Sequence, residues 1–231
     1  MAKAALAAVS AHAYGIGSKV LDSRTALALQ LHRKFLESGR PRELRPTCDQ
    51  VWFIQTDACF EPVDEGIFAG IGGVLFSPDG TPVKFFSRKL DAQMIARLNP
   101  GGKKTGIYEC EFFALFSALF LWASLVNSAL VVYTDNNAVR DAMISCHTSN
   151  VVARRVLVAA LSIESEYYLA PWYATDSNLA DNPSRLSIRQ LQELGAQQSE
   201  LNLSDCWDAL VTRAEKWGDE QVTSASPTEK K

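Results

Sequence analysis

Histidine is scarce in this 231-residue chain. His12, His32 and His147 stand far apart with no partnering ligand types beside them. With so few, an H-E-x-x-H zinc hydrolase is excluded, and neither a G-x-S-x-G elbow nor a Gly-rich phosphate loop is present to suggest other chemistry. The five cysteines (Cys48, Cys59, Cys110, Cys146, Cys206) are odd in number and form no C-x-x-C pair. They therefore read as isolated small thiols in a reducing, intracellular setting, cytoplasm or nucleus, rather than as a zinc site or a disulfide framework. No acid precedes Asp22, so an organelle-targeting leader stays open, although an ordinary Ala-rich helix is the simpler reading. No apolar run looks long enough to cross a bilayer, and no membrane partner is expected. No internal repeat is visible, and no motif with paired aspartates of the polymerase kind occurs.

Net charge is also slight, at −3, but it is unevenly spread. Residues 1–50 carry 8 Lys/Arg against 4 Asp/Glu, residues 51–185 carry 10 against 14, and residues 186–231 carry 5 against 8. The acidic middle does not announce a polyanion substrate. Bound divalent cations would reverse its sign locally. The basic residues Arg33, Lys34, Arg40, Arg42 and Arg45 form a run that is a solvated segment or a phosphate contact.

What is present centres on Leu130-Val-Val-Tyr-Thr-Asp135-Asn-Asn. A continuous apolar run reads as a strand buried on both faces, with Asp135 at its carboxyl end, where open α/β sheets place ligands. Taken alone, Asp135 reads as a cap for the following helix. Val51–Asp57 is a second strand ending in an acid. Ala69–Phe76 and Thr81–Ser87 complete an antiparallel meander around the Ser77-Pro-Asp-Gly80 turn. Asp91–Leu98 reads as a short helix, and Ile107 to about Val126 as a long helix buried on most sides. Ala138–Cys146 and Val151–Ser165 are helices, Tyr167–Tyr173 a fifth strand, Leu186–Gln198 a weak helix, and Leu203–Trp217 a helix capped by Ser204. A helix over 26–36 precedes them, and the tail from Gly218 is polar.

Four acids stand out in this frame: Asp57, Glu111, Asp135 and Asp181, the last in Asn178-Leu-Ala-Asp-Asn-Pro-Ser-Arg185. Glu109 competes with Glu111, but two residues of helix is a rotation of roughly 200°, so both cannot face one site. Glu111 shares its face with Ala114, Leu115 and Ala118, which suits close packing on a sheet. Carboxylates gathered at strand ends suit Mg²⁺. Two such ions ~3.5–4 Å apart activate water and stabilise the leaving oxygen of a phosphodiester. The cations best placed to hold phosphates are Arg88 and Lys89, after the third strand, and Lys103 and Lys104, before the acidic helix.

The sequence at this point resembles the ribonuclease H superfamily, and within it the ribonuclease H domains of LTR-type and related retroelements. Thr56-Asp57-Ala58 is similar to the opening T-D-A. Gly80–Leu90 is similar to P-V-x-F-x-S-R-K-L, Tyr108–Leu115 to Y-E-x-E-x-x-A-L, and Asn178–Arg185 to N-x-x-A-D-x-x-S-R. The resemblance covers about Gln50 to Arg185. It implies an α/β fold with a five-stranded mixed sheet, three antiparallel strands and then parallel ones, flanked by helices. Together with the elements read above, this divides the chain into a helical, basic extension or connection remnant over 1–46, the domain over 47–187, C-terminal helices over 188–217 and a disordered tail over 218–231. It also implies a two-metal endonuclease that cuts the RNA strand of RNA–DNA hybrids. Mg²⁺ or Mn²⁺ would be held by Asp57, Glu111, Asp135 and Asp181. Arg88, Lys89, Lys103, Lys104, Asn136, Asn178 and Arg185 would lie on the substrate, with backbone groups of Cys59–Gly66 or polar groups near Glu111 meeting the 2′-hydroxyls. A reverse-transcriptase polymerase domain is the implied protein partner. Many family members carry a His shortly before the last Asp; Tyr167–Asp181 has none. A catalytically inactive nucleic-acid-binding or scaffold module on the same fold is the alternative, and an integrase-like nuclease a third.

Overall fold

The computed structural model describes residues 50–64, 66–126, 129–164, 169–173 and 178–216, with the side chains of 164 and 169–173 left aside. The expected helix over 26–36, the basic run through Arg45 and the tail from Gly218 lie outside the described residues, as do Trp217, Asp176 and the start of the fifth strand.

Among the described residues, six strands form one mixed sheet in the order β5-β4-β1-β2-β3-β6. They are β1 (Val51–Val63), β2 (Gly66–Phe76), β3 (Pro82–Lys89), β4 (Ala129–Thr134), β5 (Leu169–Tyr173) and β6 (Gln197–Gln198). β1, β2 and β3 are the expected antiparallel meander. β4 runs parallel to β1 with Thr134 opposite Thr56, and β5 runs parallel to β4. Asp57 and Asp135 are thus the next residues on two neighbouring parallel strands, at the same end of the sheet.

The helices are α1 (Ala92–Leu98), α2 (Ile107–Trp122, continued by a 3₁₀ turn over Ala123–Leu125), α3 (Asn137–Ser145), α4 (Val151–Glu164), α5 (Asp181–Ser184), α6 (Arg189–Glu193) and α7 (Leu203–Lys216). Their starts are legible locally. Asp91 accepts from Met94 N at 2.7 Å to cap α1, and Asn136 accepts from Ala138 N and Val139 N to cap α3. Alternation along the strands divides the core between the two faces of the sheet. Ile54, Leu75 and Phe86 face the large core built on α2, α4 and α7, whereas Val74 and Phe85 belong to a smaller core under Ala180, Leu191 and Ala196. α7 is part of the large core: Trp207 packs on Phe113 with ring centroids 6.1 Å apart, and Cys206 Sγ lies 3.4 Å from Ser117 Oγ.

Several expectations need correction. Leu186–Gln198 is not one helix, because Gly195 takes φ +79° and the chain turns into β6, whose two residues pair with Lys84 and Phe85. The sheet therefore gains a sixth strand. Asn202, not Ser204, caps α7, accepting from Ser204 N at 3.0 Å. The first strand does not stop at Asp57 but runs on through Val63 into a hairpin with β2. With its 3₁₀ continuation, Ile107–Leu125 is long and apolar enough to cross a membrane, contrary to expectation; 72% of its most apolar window is buried inside the fold, as in a core helix.

One close approach fixes α5 on the sheet. A Cβ added at Gly70 would stand 2.1 Å from the Ser184 carbonyl oxygen, and one at Gly72 2.4 Å from the Ser184 nitrogen. Only residues without a side chain let α5 lie this near to β2. Ser87 Oγ donates to the Pro183 carbonyl at 2.6 Å from the neighbouring strand. Gly72→Ala is expected to destabilise the fold by about 1–3 kcal/mol through overpacking. The check is the urea midpoint beside Gly101→Ala, where an added Cβ meets nothing within 4 Å.

Candidate active site

Around Asp57, where the pairing of β1 with β4 stops, successive side chains of β1 point to opposite faces. Gln55 and Asp57 lie on the α5 side, where Gln55 Oε1 accepts from Leu179 N at 2.9 Å and Asp57 Oδ2 accepts from Ser184 Oγ. Glu111 reaches the same part of β1 from the first turns of α2, and the Ala58 N–H donates to its carboxylate. Asp135 follows directly on β4. Ligand oxygens of Asp57, Glu111 and Asp135 all lie within 4.8 Å of one another. Asp57 is 5% and Glu111 4% exposed, while Asp135 is open to solvent.

Such an arrangement is costly without a countercharge. Burial pushes the Asp57 carboxyl up to about 6, with the charges of Asp135 and Asp181 adding to it, although the Ser184 hydrogen bond and the Arg185 charge act the other way. Burial also raises Glu111 well above the ordinary carboxylate range, with Asp57 and Asp135 contributing. Glu111 Oε2 is buried and has no hydrogen-bond partner, alone in this among the described side chains. An orphaned acid oxygen converging with two further carboxylates fits a hard divalent cation, which takes oxygen ligands. Asp57, Glu111 and Asp135 are the residues that fit one.

The fourth expected acid is not with them. Asp181 opens α5 with its side chain 54% exposed, and Arg185, one turn later, pairs with it at 3.1 Å through Nε. The same guanidinium pairs with Glu61 and donates to Cys59 Sγ at 3.4 Å. Arg185, expected on the substrate, therefore bridges β1 to α5. Asn178 likewise spends its amide within the fold: Nδ2 donates to the Thr56 carbonyl at 3.1 Å and Oδ1 accepts from Ala180 N. Asn136 is the cap of α3. Lys103 Nζ lies 3.3 Å from Glu109 Oε1. Arg88, Lys89 and Lys104 are exposed, and Lys89 rests 5.8 Å above the Phe68 ring. Register places Ser87, Gly72 and Asp57 in one row across β3, β2 and β1, so Arg88 and Lys89 lie just beyond it at the acidic end of the sheet.

Sequence reasoning missed the structural parts played by two residues. Glu109 does face away from the triad, but it is buried at 4% and accepts from Asn150 Nδ2 as well as from Lys103. Asn150 in turn accepts from Ala153 N at the start of α4. The second is Ser184, whose only sequence signal was its place in A-D-x-x-S-R.

Strand order, strand directions and the strand end at which the acids meet define a ribonuclease H-like fold. No protein-family model matches the chain, and no curated protein matches its sequence. Among solved structures it is similar to ribonuclease H1 from the halophilic archaeon Halobacterium salinarum, with 18% identity, TM-score 0.47, and coverage of 61% of this chain and 98% of that one. It is also similar to LC11-RNase H1 solved in complex with an RNA/DNA hybrid, with 18% identity, TM-score 0.44, and coverage of 61% and 99%. A third likeness is to the protease-reverse transcriptase of prototype foamy virus, with 12% identity, TM-score 0.36, and coverage of 84% and 29%. The fold assignment rests on strand order and direction. These likenesses, all with TM-scores below 0.5, add nothing about activity.

The raised carboxyls set a pH dependence. A group whose folded pKa lies above its ordinary value contributes stability at low pH and loses it as pH rises through the folded pKa. For Asp57 the window runs from 3.8 to about 6, and the raised Glu111 adds a loss of the same sign. In EDTA, the stability of wild type relative to Asp57→Asn is expected to fall across this window. Mg²⁺ at millimolar concentration should restore it, with a larger rise in melting temperature at higher pH as protons cease to compete. Melting curves of both proteins against pH, with and without Mg²⁺, check this; parallel curves would count against it.

Proposed function

We propose that this chain is a retroelement-derived, metal-dependent endonuclease of ribonuclease H type that hydrolyses the RNA strand of RNA–DNA hybrids. The observation that supports this most is the triad of Asp57, Glu111 and Asp135 with Glu111 Oε2 left unpartnered in the interior. Mg²⁺, as a pair of ions with Mn²⁺ as substitute, is the proposed cofactor. When bound, it supplies Lewis-acid stabilisation of the phosphodiester and a more acidic water.

The chain's own residues have separate tasks in this reading. Asp57 and Glu111 are acids held out of water, where their charge acts in a low dielectric. The Ala58 backbone N–H favours the charged form of Glu111. Asp135 is the solvent-facing member of the triad, on the side from which a phosphodiester would arrive. Asp181 stands at the rim in its pair with Arg185. Affinity for a polyanion must come from cations near these acids, because phosphate contacts dominate such binding. Arg88, Lys89 and Lys104 are the exposed cations proposed for this. A reverse-transcriptase polymerase domain is the proposed protein partner.

One observation favours the alternative of an inactive hybrid-binding or scaffold module: Asp181 is engaged by Arg185 and stands apart from the other acids. Cleavage of a labelled hybrid decides between the two. Wild type with Mg²⁺ or Mn²⁺ is expected to cut RNA paired with DNA and to leave single-stranded RNA and DNA duplex intact. Asp57→Asn and Glu111→Gln should reduce cutting to background, and Glu109→Gln should leave it within a few-fold. Hybrid binding by wild type without cleavage would establish the inactive reading.

A further inference from the structure

Ser184 is fully buried, yet its hydroxyl points at the triad, donating to Asp57 Oδ2 and standing 2.8 Å from the Asp181 carbonyl oxygen. One hydroxyl proton serves these two acceptors, and the carboxylate is the stronger. The terminal torsion of an aspartate is broad and selects no single orientation by itself. Asp57 therefore needs an external partner to hold its carboxylate at one rotation.

The backbone that carries Ser184 has little freedom to move away. The near contacts of Gly70 and Gly72 with Ser184 main-chain atoms press α5 onto β2. Ser87 Oγ holds the Pro183 carbonyl from β3. On the N-terminal side, Leu179 N donates to Gln55 Oε1, and Asn178 Nδ2 donates to the Thr56 carbonyl. Three strands thus fix the position of one serine oxygen, and that oxygen fixes Asp57.

We propose that Ser184 is a positioning residue: by holding one oxygen of Asp57, its hydroxyl sets how the triad meets a divalent cation, and so the affinity for that cation. This rests on the reading of the triad as a metal site. Partners that orient a ligating carboxylate commonly contribute about 10–100-fold to metal affinity or activity.

The test uses the full chain and MnCl₂ alone, with the rise in melting temperature against Mn²⁺ concentration as readout. Ser184→Ala removes the hydroxyl. Ser184→Cys keeps nearly the same volume but donates only weakly. Both variants are expected to fold, judged by far-ultraviolet circular dichroism, and to need about 10-fold more Mn²⁺ for half-saturation. In hybrid cleavage, raising Mn²⁺ should recover much of their lost rate, which a packing defect would not show. If wild type and both variants share one half-saturation point, while Asp57→Asn abolishes the response, Ser184 has no positioning role and the metal-site reading survives. If Cys matches wild type and only Ala is impaired, the residue acts by filling space, and the proposal falls. A wild type without any Mn²⁺ response overturns the metal-site reading and, with it, this proposal.

Discussion

The burial of carboxylates, made worse by their repulsion of one another, is the constraint to which the rest of this structure answers. Asp57 and Glu111 are almost wholly buried within 4.8 Å of each other and of Asp135. Such groups persist in a fold only when paired, protonated or bound to a cation. Each neighbouring element supplies part of the answer. β1 gives the Ala58 N–H to Glu111, α5 gives the Ser184 hydroxyl to Asp57, and Arg185 lends its charge from outside. None of these neutralises the set.

The elements that hold the acids are fixed by contacts of another kind. α2 is apolar on nearly every side and is enclosed by α4, α7 and the sheet, so the direction in which Glu111 enters the site is determined by packing. Glu109, on the same helix, is turned to Asn150 and Lys103 and joins the start of α2 to the start of α4. Two glutamates two residues apart therefore do unrelated work, one in the site and one in the framework beside it.

Much of this was legible in the sequence, for a physical reason. Apolar runs that end in acids, such as Leu130–Asp135, report both a buried strand and the end at which it meets ligands. The parallel pairing of β1 with β4 follows from them. The helix face of Glu111 followed from its spacing from Ala114, Leu115 and Ala118. What escaped was decided by contacts between distant segments. Nothing local distinguishes an Arg185 that binds substrate from one that bridges Asp181 and Glu61, which lies 124 residues away in the chain. The pairing of Ser184 with Asp57 spans 127 residues. The turn at Gly195 looked like a continuing weak helix because β6 contributes only two residues, too few to show a period.

The place of α7 in the core bears on how the protein is made. Its Cys206, Leu210 and Ala214 are fully buried in the cluster that encloses α2. A ribosome has therefore already delivered all four acidic residues of interest when the nascent chain still lacks the segment that closes the hydrophobic layer behind Glu111. Domains generally fold as units during synthesis. On this topology the acids are not locked in place one by one as they emerge; they become a site only once α7 has followed them and closed the core.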